Sequence, residues 1–193
     1  PELLRTAQKF IDSLDIKEFK TFINFVSGKE KGEWSLEDFD PKSKHRKLLP
    51  KNHPKKSAER NFYYLSLEFL HYLRQEENIS LSKGKLAQEA LLDYIIKRNK
   101  RELVEEPGLL EKLASPEKYR PKKQPPPKHI LCPDASTFDI FLGRLVGFIS
   151  PQYYKLAATI EIIPAWLKFL EARQLLDKEL HEKTITEIKD NLI

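Results

Sequence analysis

Apolar residues recur every three or four positions along most of this chain, which is the spacing of amphipathic helices. Two such stripes precede Gly28, and from Phe62 to Leu73 apolar residues cover nearly the whole circumference of a helix. A further stripe covers residues 86–95, and shorter ones follow after residue 135. No run alternates between apolar and polar residues as a half-buried strand does. The pattern therefore predicts an all-α fold, an irregular multi-helix bundle.

Capping residues and prolines set the expected helix ends. Ser82 and Ser136 are predicted to cap two helices, and Asp177 is predicted to cap the last one. Pro164 lies within an apolar stretch, where we expect it to start or kink the helix that carries Trp166. A short connector is expected between the two helices around residues 79–82, whereas residues 29–56 are expected to be a long irregular segment.

Prolines divide the chain into two helical parts. Six of them crowd residues 115–135, which predicts an extended, basic linker with polyproline character. We expect residues 1–114 to form an N-terminal helical region with a basic loop at 41–60, and residues 136–193 to form a C-terminal helical region. Because the C-terminal part is short and apolar, we expect it to dock on the first part, with the linker running over the surface.

Composition changes the picture only modestly. The chain has 193 residues, of which 40% are hydrophobic and 33% charged, which is enough for a core. No stretch reaches the roughly 18 uncharged residues of a membrane span, and early charges break any signal-peptide core, so we expect a soluble, cytoplasmic protein without a membrane partner. Cys132 is the single cysteine and cannot form an intramolecular disulfide. Methionine is absent, and we expect the translated protein to contain residues that this sequence lacks.

Positive charge is concentrated in two tracts that also contain prolines. Residues 41–60 carry eight basic residues against one acidic residue, a net of +7, and residues 116–129 carry a net of +4. The whole chain carries +5, so the remaining residues are acidic on balance. Such tracts can neutralise the phosphates of a nucleic acid or another polyanion, and the alternative is a merely solubilising surface. The candidate anion-binding residues are Lys42, Lys44, Arg46, Lys47, Lys51, Lys55, Lys56, Arg60, Lys122 and Lys123.

One acid and one histidine in the most apolar helix carry a candidate metal site. Glu68 and His71 form a Glu-x-x-His pair, the spacing used by carboxylate-bridged di-iron bundles, and Glu161 could add a third ligand. Such a site needs a second Glu-x-x-His pair, which the sequence lacks. The alternatives are that Glu68 and His71 lie on the one solvent-exposed edge of the helix, or that the acids pair with Arg74 or Arg144. No cofactor is otherwise expected.

Two other motifs point weakly to chemistry or recognition. His129 and Cys132 have the spacing of two zinc ligands, but no second cysteine completes a usual site, and an exposed loop between prolines is the simpler interpretation. The helix after Ser82 could be a DNA-recognition helix, with Lys83, Lys85 and Gln88 in its first turns. The acidic Glu89 and Asp93 on the same helix argue against this interpretation.

One segment near the C-terminus resembles a known family. The run of residues 162–177, IIPAWLKFLEARQLLD, is similar to a segment of a bacterial protein family of unknown function. The resemblance covers about a tenth of the chain and implies a bacterial source but no activity. Read physically, Trp166, Phe169 and Leu170 form a core-facing stripe, and the competing interpretation is an exposed aromatic groove for a partner.

Three functional hypotheses follow from these features. The leading one is a non-enzymatic interaction module that presents its basic loops to a protein or another anionic partner. The second is a nucleic-acid-binding protein that uses the basic loops, together with the helix after Ser82. The third is a metal-dependent enzyme built on Glu68, His71 and Glu161.

Overall fold

The all-α prediction is confirmed by a computed structural model of the chain. The model describes residues 16–40, 42–43, 57–104, 126–147 and 151–192, and these residues form α-helices joined by loops, with no strand among them. The predicted stripe before residue 15 and most of the linker lie outside these ranges. The helices are α1 (Ile16–Val26), α2 (Ser57–Gln75), α3 (Leu81–Asn99), α4 (Ala135–Leu145), α5 (Tyr153–Ala172) and α6 (Lys178–Leu192), with a 3-10 helix at Leu36–Phe39.

Helices α2, α3 and α5 form the centre of the bundle. Helix α3 packs against both α2 and α5, while α4 and α6 pack against each other and against α5. Aromatic rings join the elements: Phe69 of α2 lies 5.0 Å from Trp166 and 5.4 Å from Phe169 of α5 between ring centroids. Trp166, Phe169 and Leu170 are all almost completely buried, which confirms the predicted core-facing stripe.

A second, smaller apolar cluster holds α1 on the outer side of α2. Phe25 of α1 packs on Tyr64 of α2 with ring centroids 4.9 Å apart, and Leu67 completes the cluster. Trp34, in the segment after α1, touches both this cluster and the main core. The segment between α1 and the 3-10 helix is therefore attached to α2 over much of its length.

The helix ends differ in detail from those predicted. Ser80, not Ser82, caps α3 by accepting a hydrogen bond from Lys83 N at 3.4 Å. Asp134, not Ser136, caps α4. The predicted role of Asp177 is confirmed, since its Oδ1 accepts from Leu180 N at 2.7 Å.

Pro164 does not start a new helix. Helix α5 continues through it from Tyr153 to Ala172, with the proline on the exposed side. A proline lacks the N–H that would bond to the carbonyl four residues earlier, and an exposed carbonyl can bond to water instead. In the part of the chain that the structure describes, no helix is long and apolar enough to cross a membrane.

Candidate functional site

Glu68, the first candidate metal ligand, is a structural acceptor at the junction of three segments. It is 3% exposed, and its Oε1 accepts hydrogen bonds from Gly32 N and from Trp34 Nε1, each at 2.7 Å. Its Oε2 is paired with the guanidinium of Arg173, which follows α5. These three donors satisfy the buried carboxylate. Its partner is thus an arginine, as the alternative interpretation held, but not Arg74 or Arg144.

The other two candidate ligands are engaged elsewhere. His71 lies against Gly28, and its Nδ1 is 3.2 Å from the carbonyl oxygen of Val26. Glu161 is exposed on α5 and forms an ion pair with Lys83 of α3. Across the described ranges, no group of three or more His, Cys, Asp or Glu side chains is placed to hold a metal ion. The structure therefore does not bring Glu68, His71 and Glu161 together.

The predicted recognition helix also makes internal contacts. Gln88 is 1% exposed and donates to Ser66 Oγ at 2.6 Å, so its side chain is part of the core. Lys85 pairs with Glu89 at 3.2 Å, and Lys83 pairs with Glu161. Of the three side chains proposed to read DNA on this helix, Gln88 is thus part of the core, whereas Lys83 and Lys85 form ion pairs at the surface.

Two of the candidate anion-binding residues lie within the described chain. Lys42 is exposed, and Arg60, on the first turns of α2, is partly buried. The others lie outside the described residues, namely Lys44, Arg46, Lys47, Lys51, Lys55, Lys56, Lys122 and Lys123.

The described ends of the two basic tracts meet at one cavity. This basic cavity has a volume of about 540 Å³ and lies at the C-terminal end of α3. Its wall combines the start of the first tract with the end of the second and with the residues that follow α3. The lining residues are Asp40, Lys42, Asn99, Lys100, Arg101, Pro126, Pro127 and Ile130. The sequence does not show this convergence, because the two tracts are more than 50 residues apart.

Lys100 is fixed at the edge of the basic cavity by an ion pair. Its Nζ lies 2.8 Å from Glu59 Oε1 on the first turn of α2. The hydrogen bond to Glu59 raises the pKa of Lys100 above its usual value, so this lysine is fully charged at neutral pH. Lys42 and Arg101 are exposed beside it.

A loop of residues 128–134 separates the basic cavity from α6, and side-chain donors hold its backbone. Arg98 donates to the carbonyl oxygens of residues 129 and 132, the former at 2.6 Å. Asn99 donates to the carbonyl of Ile130 at 3.1 Å, and Trp166 donates to that of Leu131 at 3.0 Å. Four consecutive carbonyls are therefore bound by side chains of α3 and α5.

This 128–134 loop corrects the expectation of a linker that runs over the surface. Leu131 is 0% exposed and Cys132 4% exposed, because the donors above draw the backbone into the bundle. The Cys132 thiol contacts Thr184 Oγ1 of α6 at 3.0 Å, and burial raises its pKa. The sequence analysis did not identify Arg98 and Asn99 as residues that hold this loop. Their one signal is that they are two polar residues at the end of an apolar helical stripe, and polar residues at such a position usually face solvent.

His129 is locked as a neutral acceptor in the same loop. Its Nδ1 accepts hydrogen bonds from Leu131 N at 3.3 Å and from Cys132 N at 3.0 Å. Burial, reinforced by the nearby charge of Arg98, lowers the pKa of His129 below its ordinary value. Nδ1 of His129 is thus occupied by backbone donors, and the Cys132 thiol is engaged with Thr184.

Comparisons with known proteins add no family. No protein-family model matches the chain, and no curated protein or solved structure is similar enough to count as a match. The resemblance of residues 162–177 to a bacterial family therefore stays a prediction, and the function has to be argued from the chain's own geometry.

Proposed function

We propose that this protein binds a polyanion at the basic cavity, and that the polyanion is a nucleic acid contacted through its phosphates. The observation that carries the proposal is that the described ends of the two basic tracts line one concave surface at the end of α3. Lys42 belongs to the first tract, and Pro126 and Pro127 belong to the second. Together with Lys100 and Arg101, Lys42 can attract one anionic ligand to this surface.

The described wall of the cavity combines charges of both signs. Lys42, Lys100 and Arg101 face the opposing charges of Asp40 and Glu59. The C-terminal end of α3 adds a partial charge of roughly −0.5. These contributions leave the described wall with a small positive balance. Binding is therefore expected to be sensitive to salt and largely independent of base sequence.

The chemistry of the cavity favours phosphates over an acidic protein. Protein–protein interfaces are depleted of lysine at their centre and depend on aromatic and arginine anchors that fill pockets. The described wall of the basic cavity offers lysines, prolines, Ile130 and the exposed Arg101, and no aromatic residue is among these described residues. Contacts of this kind position a phosphate backbone without reading bases.

Fluorescence anisotropy with labelled 20-nucleotide DNA and RNA, single- and double-stranded, tests the proposal over a series of salt concentrations. We expect the logarithm of the binding constant to fall linearly with the logarithm of salt concentration, with a slope of about −0.9 per phosphate neutralised on duplex DNA. Lys42→Glu and Arg101→Glu should each reduce that slope by about 1. Lys178→Glu, the same charge change on exposed α6, should leave it unchanged.

Two results would reject nucleic acid as the partner. One is the absence of salt-dependent binding to all four oligonucleotides. The other is equal or tighter binding of poly-glutamate that is lost in the same two variants, which would assign the basic cavity to an acidic protein instead.

A further inference from the structure

A pair of adjoining cavities lies across Pro126 and Pro127 from the basic cavity, where α4 begins. The larger has a volume of about 350 Å³ and the smaller one of about 60 Å³. Both are lined by Arg98, Lys128, Asp134 and Glu187. We refer to the two together as the Arg98 cavity. Its larger part is within the range of about 300–1,000 Å³ that is usual for small-molecule sites.

Arg98 is a buried cation that lacks a carboxylate at hydrogen-bonding distance. It is 2% exposed, and its two terminal nitrogens donate to backbone carbonyls of the 128–134 loop. Among the described residues its Nε has no hydrogen-bond partner. The carboxylate oxygen paired with it, Asp134 Oδ2, lies 3.6 Å away. Burying an arginine is costly unless a counter-charge lies close, so a carboxylate from a ligand would be stabilised here.

Asp134 is only partly available to neutralise Arg98, because it also caps α4. Its Oδ1 accepts from Thr137 N at 3.0 Å and from Ser136 Oγ at 3.1 Å. The first residues of α4 also line the cavity, and the N-terminus of this helix carries a positive partial charge. Arg98, Lys128 and the N-terminal amides of α4 thus supply the positive charge of the cavity wall, and Asp134 offsets part of it.

The wall also carries acidic groups. Glu187 of α6 lines both parts of the cavity and lies 3.9 Å from Lys183, which lines the smaller part. Two cationic and two anionic side chains are therefore common to both parts of the cavity. A phosphate would be attracted by two of them and repelled by the other two. A molecule with separated positive and negative groups would gain at both ends.

We propose that the Arg98 cavity binds a small zwitterion, an α-amino acid, with its carboxylate at Arg98 and Lys128 and its ammonium group at Glu187. The prolines and Ala135 supply an apolar wall for a side chain. This site is distinct from the basic cavity. Its ligand differs in size and in charge from the nucleic acid proposed above.

Isothermal titration calorimetry of the full chain with each of the twenty amino acids tests this proposal. At least one is expected to bind, and its α-amide and its N-acetyl derivative are each expected to bind at least about tenfold more weakly, because each loses one charged hydrogen-bonding group. Lys128→Gln and Glu187→Gln should each weaken binding to a similar extent.

The matched control is Glu182→Gln on the same helix. Glu182 pairs with Lys178 at 3.8 Å as Glu187 pairs with Lys183, but it does not line the cavity, so its replacement should leave binding unchanged. The proposal is rejected if no amino acid binds, if the amide or the N-acetyl derivative binds as well as the amino acid, or if Lys128→Gln and Glu187→Gln bind like the wild type. Glu187 lies outside the basic cavity, so Glu187→Gln should bind nucleic acid like the wild type while it binds the amino acid more weakly. This difference separates the two proposals.

Discussion

Single polar residues inside the apolar helices determine much of how the segments are joined. The sequence identifies Glu68 as an acid in a helix that is otherwise apolar, and a buried carboxylate needs a partner. It cannot identify the partner, because Arg173 lies 105 positions away and becomes a neighbour only when α5 packs on α2. The sequence therefore indicates that the Glu68 carboxylate needs a partner, and tertiary packing determines that this partner is Arg173.

The buried imidazole of His129 makes stability depend on pH at the residue scale. Its pKa is lowered in the folded chain by burial and by Arg98, whereas in the unfolded chain it is about 6.5. The unfolded state therefore binds more protons, and this contribution to stability is complete above about pH 6.5 and declines as the pH falls toward the folded pKa. We expect the free energy of unfolding, measured by urea denaturation, to fall more steeply between about pH 7 and about pH 5 in the wild type than in His129→Gln. Parallel curves for the two proteins would contradict this assignment.

At the scale of the elements, periodicity predicts which segments are helices better than where they begin. The apolar stripes of α2, α3 and α5 appear where the sequence predicts them, because burial of one face fixes the middle of a helix. The first residue depends on a local competition between capping side chains. Asp134 and Ser136 are both suitable caps, and Asp134 prevails because its carboxylate reaches Thr137 N.

Two glycines, one after α1 and one within α4, give a matched pair of substitutions that should change the free energy of unfolding in opposite directions. Gly28 has a φ of +73°, and a Cβ there would lie 2.4 Å from His71 Nε2. Gly28→Ala should therefore lower the free energy of unfolding by about 1–3 kcal/mol. Gly143 lies on the exposed side of α4 with no atom within 4 Å of such a Cβ, so Gly143→Ala should raise it by about 0.5–1 kcal/mol. Urea denaturation followed by circular dichroism measures both, and the same sign for the two variants would contradict this account.

At the scale of the whole molecule, the arrangement of the helices creates surfaces that no local pattern contains. The sequence shows two basic tracts, and only the packing of α3 against the 128–134 loop brings their ends to one cavity. The candidate metal ligands are separated at the same level, since Glu161 forms an ion pair with Lys83 while Glu68 is paired with Arg173. Spacing along one helix places two residues on a face, but it gives no information about the residues supplied by a second helix.

Cys132 reports on unfolding of the bundle as a whole. It is the single cysteine, it is buried in the main core beside Thr184 of α6, and burial raises the pKa of its thiol. Labelling with a thiol reagent in native buffer should therefore be at least roughly a thousandfold slower than in the unfolded chain. Urea should accelerate labelling in parallel with global unfolding measured by circular dichroism. Rapid labelling without denaturant would show that the 128–134 loop opens independently of the bundle.

The way in which the 128–134 loop is held has a consequence for tolerance to substitution. Its successive carbonyls are bound by Arg98, Asn99 and Trp166, so the path of the segment is encoded in helices that are distant from it along the chain. Replacing the partly buried side chain of Ile130 leaves every one of these anchors intact. Replacing Asn99 or Trp166 frees a backbone carbonyl that lies 31 or 35 positions away along the chain. Substitutions outside this segment are therefore expected to disturb its path more than substitutions within it.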